Sequence, residues 1–377
     1  MSDNSKKILY LNKVGEIGGA EVSLQMLVGN LLRPDFEPVV VLGSAGSLYE
    51  RLKVMNIPVY VYPLEGLHTR NPTPFIKTVR FLKDVIKKEK IGLIHTNTNW
   101  DNQYGVIASK LTGIPHILHV RGFSRSQYSW KSFYHLGDMA ICNSEHTRHQ
   151  FIAFSGFKKR VEVVYNGIDS DTFRPDHEKR LRMRKHYSFS DTDIVMGMAG
   201  RLTEEKGQLP LLKALLGQLK SNKNYKVVIA GDTVLHSGSD YKEQIGAFII
   251  ENKLDEQVLL AGFVNDMPAF YNALDLFLHP AFREPFGRVM VEAMAAEKPV
   301  IASKIGGVSE IISANSEDGV LVVPGDWEAW LKQIDFLIMH PKTAMLMGRQ
   351  GREKAIKRFS LITQMDILKE IYRSLMR

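Results

Sequence analysis

Two carboxylates, Glu284 and Glu292, lie eight positions apart in the chain, with a proline and a glycine between them. Glu292 stands in the otherwise apolar segment 289–296, where an ionised carboxylate is costly unless a polar group meets it. One candidate for that polar group is Arg288, which can pair with Glu292 along a helix, although such a pair contributes only roughly a few tenths of a kcal/mol. The other candidate is a polar group of a bound ligand. The proline and Gly287 predict a loop that ends at a helix start, where free backbone N–H groups suit hydroxyls and phosphates.

A second segment, Gly200–Gly207, carries two cations and follows a run of strand-forming residues. Arg201 offers a planar fork of donors and Lys206 offers a mobile point charge, a combination that suits a diphosphate. The glycines at both ends indicate a close approach of the backbone to a ligand. The alternative is a pair of surface cations that Glu204 and Glu205 neutralise locally.

Glycine pairs also follow predicted strands, at Gly18-Gly19 and at Gly306-Gly307. The first pair opens a predicted helix, where glycines let the backbone bend closely around a phosphate or a sugar. The spacing around it is not the G-x-G-x-x-G fingerprint of a dinucleotide site, which disfavours an NAD-dependent dehydrogenase. An ordinary tight turn explains either pair equally well.

Polar side chains follow strands in the first half of the chain as well. His119 and Arg121 lie at the end of one predicted strand, and Thr96 and Asn97 follow another. The carboxyl ends of parallel strands border the ligand crevice of open α/β sheets, so these residues are candidates for contact with a substrate. The polar patch His95–Asn99, which contains Thr96 and Asn97, suits acceptor hydroxyls, and a structural role for the lone His119 is equally consistent with the sequence.

Metal sites are not expected. The pairs Asp169-x-Asp171 and Asp191-x-Asp193 resemble metal-binding carboxylates, but both lie in a polar connection and away from strand ends. We interpret them as solvated loop residues and predict no metal and no other cofactor. The charge of a diphosphate then falls to the two cations of the Gly200–Gly207 segment and to helix N-termini.

Short β-branched runs alternate with longer amphipathic stretches throughout the chain, which is typical of parallel sheets with crossover helices. The predicted strands are Lys7–Leu11, Pro38–Leu42, Val59–Tyr62, Leu93–His95, His116–Val120, Met139–Asn143, Val161–Tyr165, Ile194–Ala199, Lys226–Ala230, Val258–Leu260, Leu276–His279, Val300–Ala302 and Val320–Val323. We predict an α/β protein with two Rossmann-like, doubly wound domains that face each other across a deep cleft. The predicted divisions are an N-terminal domain 1–168, a connection 169–192, a C-terminal domain 193–355 and a helix 356–377 that packs back on the first domain.

Composition places the chain among globular proteins of two domains. Its 377 residues exceed one ordinary core, and its 24% charged and 44% hydrophobic residues are ordinary values. The single cysteine, Cys142, excludes a disulfide framework, and no apolar run approaches the roughly 18 residues of a membrane span. We therefore expect a cytoplasmic protein.

The net charge of +8 lies largely in the segments Lys77–Lys90 and Lys179–Lys185. The first segment predicts a helix with apolar residues on one side, among them Ile76 and Val79. Its basic face is either solvated or docked on an anionic membrane, and in the second case the protein associates with the inner face of the cell membrane. Nucleic acid is not an expected partner, because the sequence has no basic motif interleaved with aromatic residues.

Taken in order, these motifs resemble glycosyltransferase family 4, the retaining enzymes of the GT-B fold that depend on nucleotide-diphosphate sugars. The resemblance covers nearly the whole chain. The residues that carry it are Gly18-Gly19-Ala20-Glu21, Asn166-Gly167-Ile168-Asp169 with Phe173, Gly200-Arg201 with Lys206-Gly207, Ala230-Gly231-Asp232, Gly262-Phe263, Glu284 with Glu292, Gly306-Gly307 with Glu310, and Asp318-Gly319.

The resemblance implies transfer of a hexose from a UDP- or GDP-linked sugar to a saccharide or lipid-linked acceptor, in the synthesis of surface polysaccharide, lipopolysaccharide or another glycoconjugate. The catalytic set that it implies is His119, Glu284, Arg201 and Lys206. The implied donor-binding set is Gly18, Gly19, Arg201, Lys206, Phe263, Glu284, Phe286, Gly287 and Glu292, and the acceptor-side candidates are Thr96, Asn97 and Arg121.

By the same analogy, Glu292 accepts hydrogen bonds from the ribose and Glu284 holds hydroxyls of the donor sugar. Arg201 and Lys206 bind the diphosphate, and His119 lies beside the reacting sugar. Two rival functions stay open. One is a nucleotide-sugar epimerase or hydrolase on the same fold, which the pair of glutamates disfavours. The other is a non-catalytic nucleotide-sugar-binding protein.

Overall fold

The computed structural model of the protein describes residues 5–31, 35–68, 70–122, 131–233 and 240–376. The chain divides into two compact units. The first comprises Met1–Gly167 together with Leu361–Arg377, and the second comprises Ile168–Ser360. Each unit contains one parallel β-sheet.

The first unit has a seven-stranded sheet with the strand order β3-β2-β1-β4-β5-β6-β7. Its strands are β1 (Lys6–Asn12), β2 (Phe36–Leu42), β3 (Val59–Val61), β4 (Ile91–Thr96), β5 (His116–Val120), β6 (Met139–Cys142) and β7 (Val161–Val163). Its helices are α1 (Gly19–Gly29), α2 (Ser47–Val54), α3 (Thr73–Glu89), α4 (Asn102–Thr112), α5 (Lys131–Tyr134), α6 (Glu145–Ser155) and, at the end of the chain, α15 (Leu361–Leu375).

Side chains of β1 alternate between two apolar cores, as a strand buried on both faces requires. Ile8 and Tyr10 lie in a core with α1, α2 and α15, whereas Leu9 and Leu11 lie in a core with α3 and α4. Helices therefore cover both faces of this sheet, which is the doubly wound arrangement.

The second unit has a six-stranded sheet with the strand order β10-β9-β8-β11-β12-β13. Its strands are β8 (Ile194–Ala199), β9 (Tyr225–Ala230), β10 (Val258–Gly262), β11 (Leu276–His279), β12 (Val300–Ser303) and β13 (Val320–Val322). Its helices are α7 (His177–His186), α8 (Gln208–Ser221), α9 (Tyr241–Glu251), α10 (Met267–Ala273), α11 (Arg288–Ala295), α12 (Val308–Ile311), α13 (Trp327–Met339) and α14 (Pro341–Phe359), with a 3₁₀ helix at Glu204–Lys206.

In both sheets the chain order reverses once, between β1 and β4 in the first and between β8 and β11 in the second. At such a reversal the connections leave toward opposite faces, and a crevice opens at the carboxyl ends of the two strands. The residues that follow these four strands therefore stand where an open α/β sheet binds its ligands.

All thirteen predicted strands form, and their ends differ from the predicted ends by at most two residues. The predicted α/β class with doubly wound parallel sheets is confirmed. The segment 169–192, predicted as a connection, contains α7 and belongs to the second unit.

The helical pattern at the end of the chain is interrupted at Ser360. This residue has extended backbone, with φ −70° and ψ 153°, and forms a β-bridge with Ile168. Helix α14 therefore continues to Phe359, and the helix predicted from residue 356 starts at Leu361. Helix α15 packs in the core of the first unit.

The basic segment forms α3, as predicted, with Phe75 and Val79 on its buried face. Ile76 was expected on the same apolar side, but 59% of its surface is exposed. The reason is geometric, since consecutive helical residues are about 100° apart and only every third or fourth residue shares a face. No helix among the described residues is long and apolar enough to cross a membrane.

Candidate active site

A carboxylate lies between two nitrogen donors at the carboxyl edge of the second sheet. Glu284 is in the loop after β11, His279 is the last residue of β11, and Lys206 ends the 3₁₀ helix after β8. The Oε2 atom of Glu284 lies 2.6 Å from Nζ of Lys206 and 3.0 Å from Nε2 of His279. Because the chain order reverses between β8 and β11, this cluster stands at the expected ligand crevice.

The surroundings of Glu284 keep it ionised. Burial acts to raise the pKa of Glu284, but the Lys206 ammonium and the His279 hydrogen bond outweigh it and hold that pKa well below its ordinary range. Burial lowers the pKa of His279, against the opposing effect of Glu284, so this ring is a neutral donor near pH 7. Glu284 is therefore suited to accept hydrogen bonds and is not a proton donor at neutral pH.

The second glycine pair fixes the loop that carries Glu284. The Gly307 N–H donates to the carbonyl oxygen of Glu284 at 3.1 Å. A Cβ atom on Gly307 would overlap the carbonyl group of Pro285, so only glycine allows the two segments to approach this closely. The Gly306-Gly307 motif thus has a packing role as a turn, which was one of its two interpretations from sequence.

Glu292 is 5% exposed and has two polar partners. Its Oε1 accepts a hydrogen bond from Nε of Arg288 at 2.7 Å, and its Oε2 accepts one from the hydroxyl of Tyr271 on α10 at 2.8 Å. The predicted helix start is confirmed, because α11 begins at Arg288 after Gly287, whose φ is 108°. Protein partners therefore account for the burial of Glu292, and its contact with a ribose stays a prediction.

Arg201 is an exposed cation directly after β8. Its carbonyl oxygen accepts a hydrogen bond from Gln208 at 2.9 Å, but its guanidinium has no hydrogen bond or ion pair with any other described residue. Gly200 has φ 142°, and its carbonyl group occupies the place that a Cβ on Gly231 would need. The two glycines thus allow a tight backbone arrangement that presents a free guanidinium.

The remaining donor-side candidates of the second unit differ in exposure. Phe263 follows β10, at the edge of the sheet, and is 58% exposed. Phe286 is 2% exposed, so its side chain belongs to the protein interior, and its N–H lies 3.4 Å from Oε1 of Glu284. Its place in the donor-binding set can therefore involve only its backbone, and it remains a prediction.

Gly18 and Gly19 start α1, as the sequence predicts. The Gly18 N–H donates to Oε2 of Glu21 at 3.1 Å, which closes the first helical turn. A Cβ atom on Gly19 would meet no heavy atom within 4 Å. Packing against the described residues does not require glycine at position 19, and the backbone there has room beside it for a ligand.

Arg121 and Asn97 belong to one polar network at the carboxyl edge of the first sheet. The Nε and Nη2 atoms of Arg121 donate to Oδ1 of Asn97 at 3.1 and 2.8 Å, and Nη1 donates to Oδ1 of Asn166 at 2.7 Å. The Nδ2 atom of Asn97 donates to Oδ1 of Asn12 at 2.8 Å. Asn12 ends β1 and Asn97 follows β4, so the network spans the reversal point of this sheet.

Thr96 does not join this network. It is fully buried, and its hydroxyl donates to the carbonyl oxygen of Ile117 at 3.2 Å while lying 3.3 Å from Nε2 of His116. The hydroxyl is therefore used inside the sheet, and the geometry gives no support to its predicted contact with an acceptor.

His119 lies on β5 and is fully buried. Its Nδ1 lies 3.1 Å from Nε2 of His95, and its own Nε2 has no partner among the described residues. Burial lowers the pKa of His119, and Arg121 and His95 act in the same direction, so the ring is neutral near pH 7. An unpaired buried nitrogen costs about 1–3 kcal/mol, and a ligand at this position can recover that cost.

Sequence reasoning missed His279, the second donor to Glu284, and Tyr271, the second donor to Glu292. Neither residue belongs to a recognisable motif. Their only signal is position, since His279 ends a strand and Tyr271 lies in the helix before it. That signal becomes specific only when the order of the strands in the sheet is known.

The acidic pairs lie in turns, but the predicted solvated position is wrong for Asp193, which is 8% exposed and accepts a hydrogen bond from the N–H of Ser190 at 2.7 Å. Asp169 accepts hydrogen bonds from the N–H groups of Asp171 and Thr172 at 3.0 and 3.1 Å. In the part of the chain that the structure describes, no three His, Cys, Asp or Glu side chains are grouped as a metal ion would need. The prediction that the reaction needs no metal remains a prediction.

The whole chain is similar to a solved structure, that of Anabaena Alr3699/HepE in complex with UDP-glucose. The two are 28% identical, with a TM-score of 0.86, over 98% of this chain and 100% of the other. Together with the two doubly wound sheets, this similarity defines the fold class as the GT-B fold, as the resemblance implied.

Two family models cover most of the chain. Residues 17–172 match the model described as Glycosyltransferase Family 4, and residues 179–354 match the model described as Glycosyl transferases group 1. The protein belongs to the family 4 glycosyltransferases.

Similar relatives include two bacterial enzymes. One is the capsular polysaccharide biosynthesis glycosyltransferase CapM of Staphylococcus aureus, 27% identical over 77% of this chain and 78% of that protein. The other is the UDP-Gal:alpha-D-GlcNAc-diphosphoundecaprenol alpha-1,3-galactosyltransferase of Escherichia coli, 25% identical over 79% of each chain.

Proposed function

We propose that the protein transfers a hexose from a UDP-linked sugar, with retention at the anomeric carbon, to a lipid-linked saccharide in the synthesis of a surface polysaccharide. The UDP donor is supported by the similarity to HepE, whose structure holds UDP-glucose. The acceptor class is supported by the relatives named for capsular polysaccharide and for a diphosphoundecaprenol-linked sugar. A GDP-linked sugar is the alternative donor.

The observation that carries this proposal is the group of charges after β8 and β11. Arg201 presents a free guanidinium, and Lys206 holds the ionised Glu284 at 2.6 Å. One cation thus lies beside a fixed acceptor for sugar hydroxyls, and Arg201 lies five residues earlier in the same segment after β8, which suits the order of groups in a nucleotide-diphosphate sugar.

The roles in the reaction follow from these charges. When the bond between the anomeric carbon and the β-phosphate breaks, Arg201 and Lys206 stabilise the negative charge that develops on the phosphate. The acceptor oxygen attacks from the face that the phosphate leaves, and a phosphate oxygen takes the proton of the acceptor hydroxyl. Glu284 positions the sugar and is not a covalent nucleophile, which distinguishes it from the paired carboxylates of retaining glycosidases.

The buried pair on α11 fits the nucleoside part of the same donor. Glu292 is held by Arg288 and Tyr271, and carboxylate oxygens accept more than one hydrogen bond each. Its remaining lone pairs can accept from the two ribose hydroxyls. The Nη1 atom of Arg288, which is buried without a partner among the described residues, then gains a nearby oxygen to bond.

A thermal-shift comparison tests the donor. At a concentration of about 100 times Kd, UDP-glucose or UDP-galactose is expected to raise the free energy of unfolding by about 2.7 kcal/mol and Tm by several degrees. UMP, which lacks the diphosphate, is expected to give a clearly smaller shift. A shift with GDP-mannose and none with UDP-sugars overturns the donor assignment, and no shift with either class overturns the proposed function.

A donor-only incubation separates the rival functions. The proposed transferase leaves the UDP-sugar intact until a lipid-linked saccharide is added, whereas an epimerase or hydrolase converts it without an acceptor. Product analysis by proton NMR reports the anomeric configuration. An inverted linkage in the product contradicts retention.

The exposed face of α3 supports membrane docking of the same enzyme. Lys77, Arg80, Lys83 and Lys87 are exposed and recur at helical spacing, and Ile76 adds an exposed apolar side chain at the start of the helix. A bilayer with anionic headgroups matches this face, since each exposed cation near such a surface contributes about 1 kcal/mol. A lipid-linked acceptor is held in such a bilayer.

Charge reversal at three positions of α3 is expected to weaken vesicle binding by at least about a hundredfold, on the basis of that contribution per cation. The variant carries Lys77→Glu, Lys83→Glu and Lys87→Glu. Co-sedimentation with vesicles of phosphatidylglycerol and phosphatidylcholine measures the effect. A matched control reverses three exposed cations of α14, by Lys342→Glu, Arg349→Glu and Lys357→Glu. Equal loss in both variants contradicts docking through α3.

A further inference from the structure

A chain of buried hydrogen bonds connects helix α15 to His119. The hydroxyls of Tyr10 and Tyr372 lie 3.0 Å apart, and the Tyr372 hydroxyl lies 2.8 Å from Nδ1 of His95. The Nε2 atom of His95 then lies 3.1 Å from Nδ1 of His119. All four side chains belong to residues that are at most 1% exposed. The chain ends at Nε2 of His119, which has no partner among the described residues.

The rings of His95 and His119 must carry their protons on the same nitrogen, either Nε2 in both or Nδ1 in both. Burial lowers the pKa of both His95 and His119, so each ring is neutral near pH 7. A neutral imidazole has one N–H donor and one bare nitrogen, and the contact between the rings needs one of each. Either both rings carry the proton on Nε2, or both carry it on Nδ1.

The two arrangements differ in where they leave the donor that lacks an acceptor. With protons on Nε2, Tyr10 donates to Tyr372, Tyr372 to His95 and His95 to His119, and the spare N–H is on His119. With protons on Nδ1, every bond reverses and the spare donor is the Tyr10 hydroxyl. Tyr10 lies inside β1 and in an apolar core with Leu24 and other buried side chains, whereas His119 lies next to the last residue of β5, at the edge of the sheet where open α/β sheets bind ligands.

Two effects therefore favour the first arrangement. A ligand oxygen can accept the spare N–H of His119, whereas a spare hydroxyl in the core stays unpaired at a cost. The Nε2–H form is also the more stable tautomer of a neutral histidine side chain. Both effects act in the same direction on both rings.

We infer that Tyr10, Tyr372 and His95 are positioning residues that hold the proton of His119 on Nε2, so that His119 donates a hydrogen bond to a bare oxygen of the ligand and is not the base of the reaction. This rests on the proposed function, which supplies the ligand at His119. The acceptor hydroxyl then gives its proton to the departing phosphate oxygen, as the new bond to the anomeric carbon forms and the bond to phosphate breaks.

Histidine NMR tests the tautomer without any turnover. The protein has 12 histidines, and selective ¹⁵N labelling with two-bond ¹⁵N–¹H correlation reports the protonated nitrogen of each ring. The variants His95→Gln and His119→Gln assign the two rings by the loss of their signals. Protonated Nε2 and bare Nδ1 are expected for both rings, and a proton on Nδ1 of His119 overturns the inference.

A pair of tyrosine variants tests the positioning role. In Tyr372→Phe, Nδ1 of His95 loses its donor, and its ¹⁵N signal is expected to move toward that of a free lone pair. In Tyr10→Phe, the bond from Tyr372 to His95 remains, and this signal is expected to stay near its parent position. An unchanged His95 signal in Tyr372→Phe overturns the role of Tyr372, and if that variant does not fold, the parent spectrum still decides the direction of the chain.

Two substitutions of His119 separate a donor from a base. Glutamine places an amide N–H near the position of Nε2 but cannot take a proton, so His119→Gln is expected to keep turnover within about tenfold of the parent, against a loss of about a hundredfold or more in His119→Ala. Equal losses in both variants overturn the donor role. If the parent protein shows no turnover, that result counts against the proposed function and not against the tautomer, because the NMR experiment measures the tautomer without turnover.

Discussion

The Arg201→Ala variant is expected to lose at least about a hundredfold in turnover while it keeps the thermal stability of the parent protein. One preorganised donor to developing charge contributes about 10²–10³ in rate, and Arg201 is the proposed donor to the departing diphosphate. Its guanidinium is exposed and has no partner among the described residues, so its removal breaks no contact of the fold. Steady-state kinetics with a UDP-sugar and a melting curve measure both quantities.

Arg283→Ala is the matched control for this experiment. Arg283 is an exposed arginine of the loop after β11, but it pairs with Glu205 at 3.2 Å. An exposed pair of this kind contributes about 0–1 kcal/mol, so the control is expected to change neither turnover nor Tm appreciably. If both arginine variants lose turnover equally, the loss comes from the lower positive charge in general, and the proposal that Arg201 contacts the diphosphate specifically is wrong.

The sequence is sufficient to predict the strands, because their signals are local, whereas the break between α14 and α15 at Ser360 was missed. Alternating β-branched runs marked all thirteen strands, and the glycine before Arg288 marked the start of α11. The same local reasoning placed Ile76 on the wrong face of α3, since a run of adjacent apolar residues does not show which of them shares the buried stripe.

The candidate site was predictable only in part, because its contacts join distant segments. Lys206 and Glu284 were each identified from sequence, but their pairing depends on β8 lying beside β11. His279 became visible as a partner only through that strand order. The bond between Tyr10 and Tyr372 joins residues 362 positions apart, and nothing in the local pattern of either residue indicates it.

The Lys206→Met variant is expected to lose turnover and also to unfold more easily, in contrast to Arg201→Ala. The side chains of Lys206 and Glu284 are only 19% and 11% exposed, and removing one partner of a buried ion pair costs about 3–5 kcal/mol. Urea denaturation at pH 7 measures the loss. Lys206→Arg keeps the charge and is expected to retain most of the stability.

The stability difference between the parent and Lys206→Met is expected to shrink as the pH falls from 7 to 4. In the parent, the depressed pKa of Glu284 gives stability that is fully present above the unfolded value of about 4.3 and is lost as the pH falls through the folded value. Without Lys206, only His279 opposes the effect of burial, so we expect the pKa of Glu284 in the folded variant to lie above its unfolded value, and the folded variant then takes up a proton before the unfolded chain does as the solution is acidified. His279 acts in the same sense, since Lys206 no longer opposes its protonation beside Glu284.

A second change separates an unpaired charge from a simple packing defect. If the cost of Lys206→Met is the charge of Glu284, then adding Glu284→Gln to that variant removes the charge and is expected to recover part of the lost stability at pH 7, although turnover stays low. Two results together contradict the assignment of Glu284 as ionised. One is a double variant that is no more stable than Lys206→Met, and the other is a stability difference between the parent and Lys206→Met that does not change with pH. Glu284 then becomes available as an acid, and the assignment of proton transfer to the phosphate loses its support.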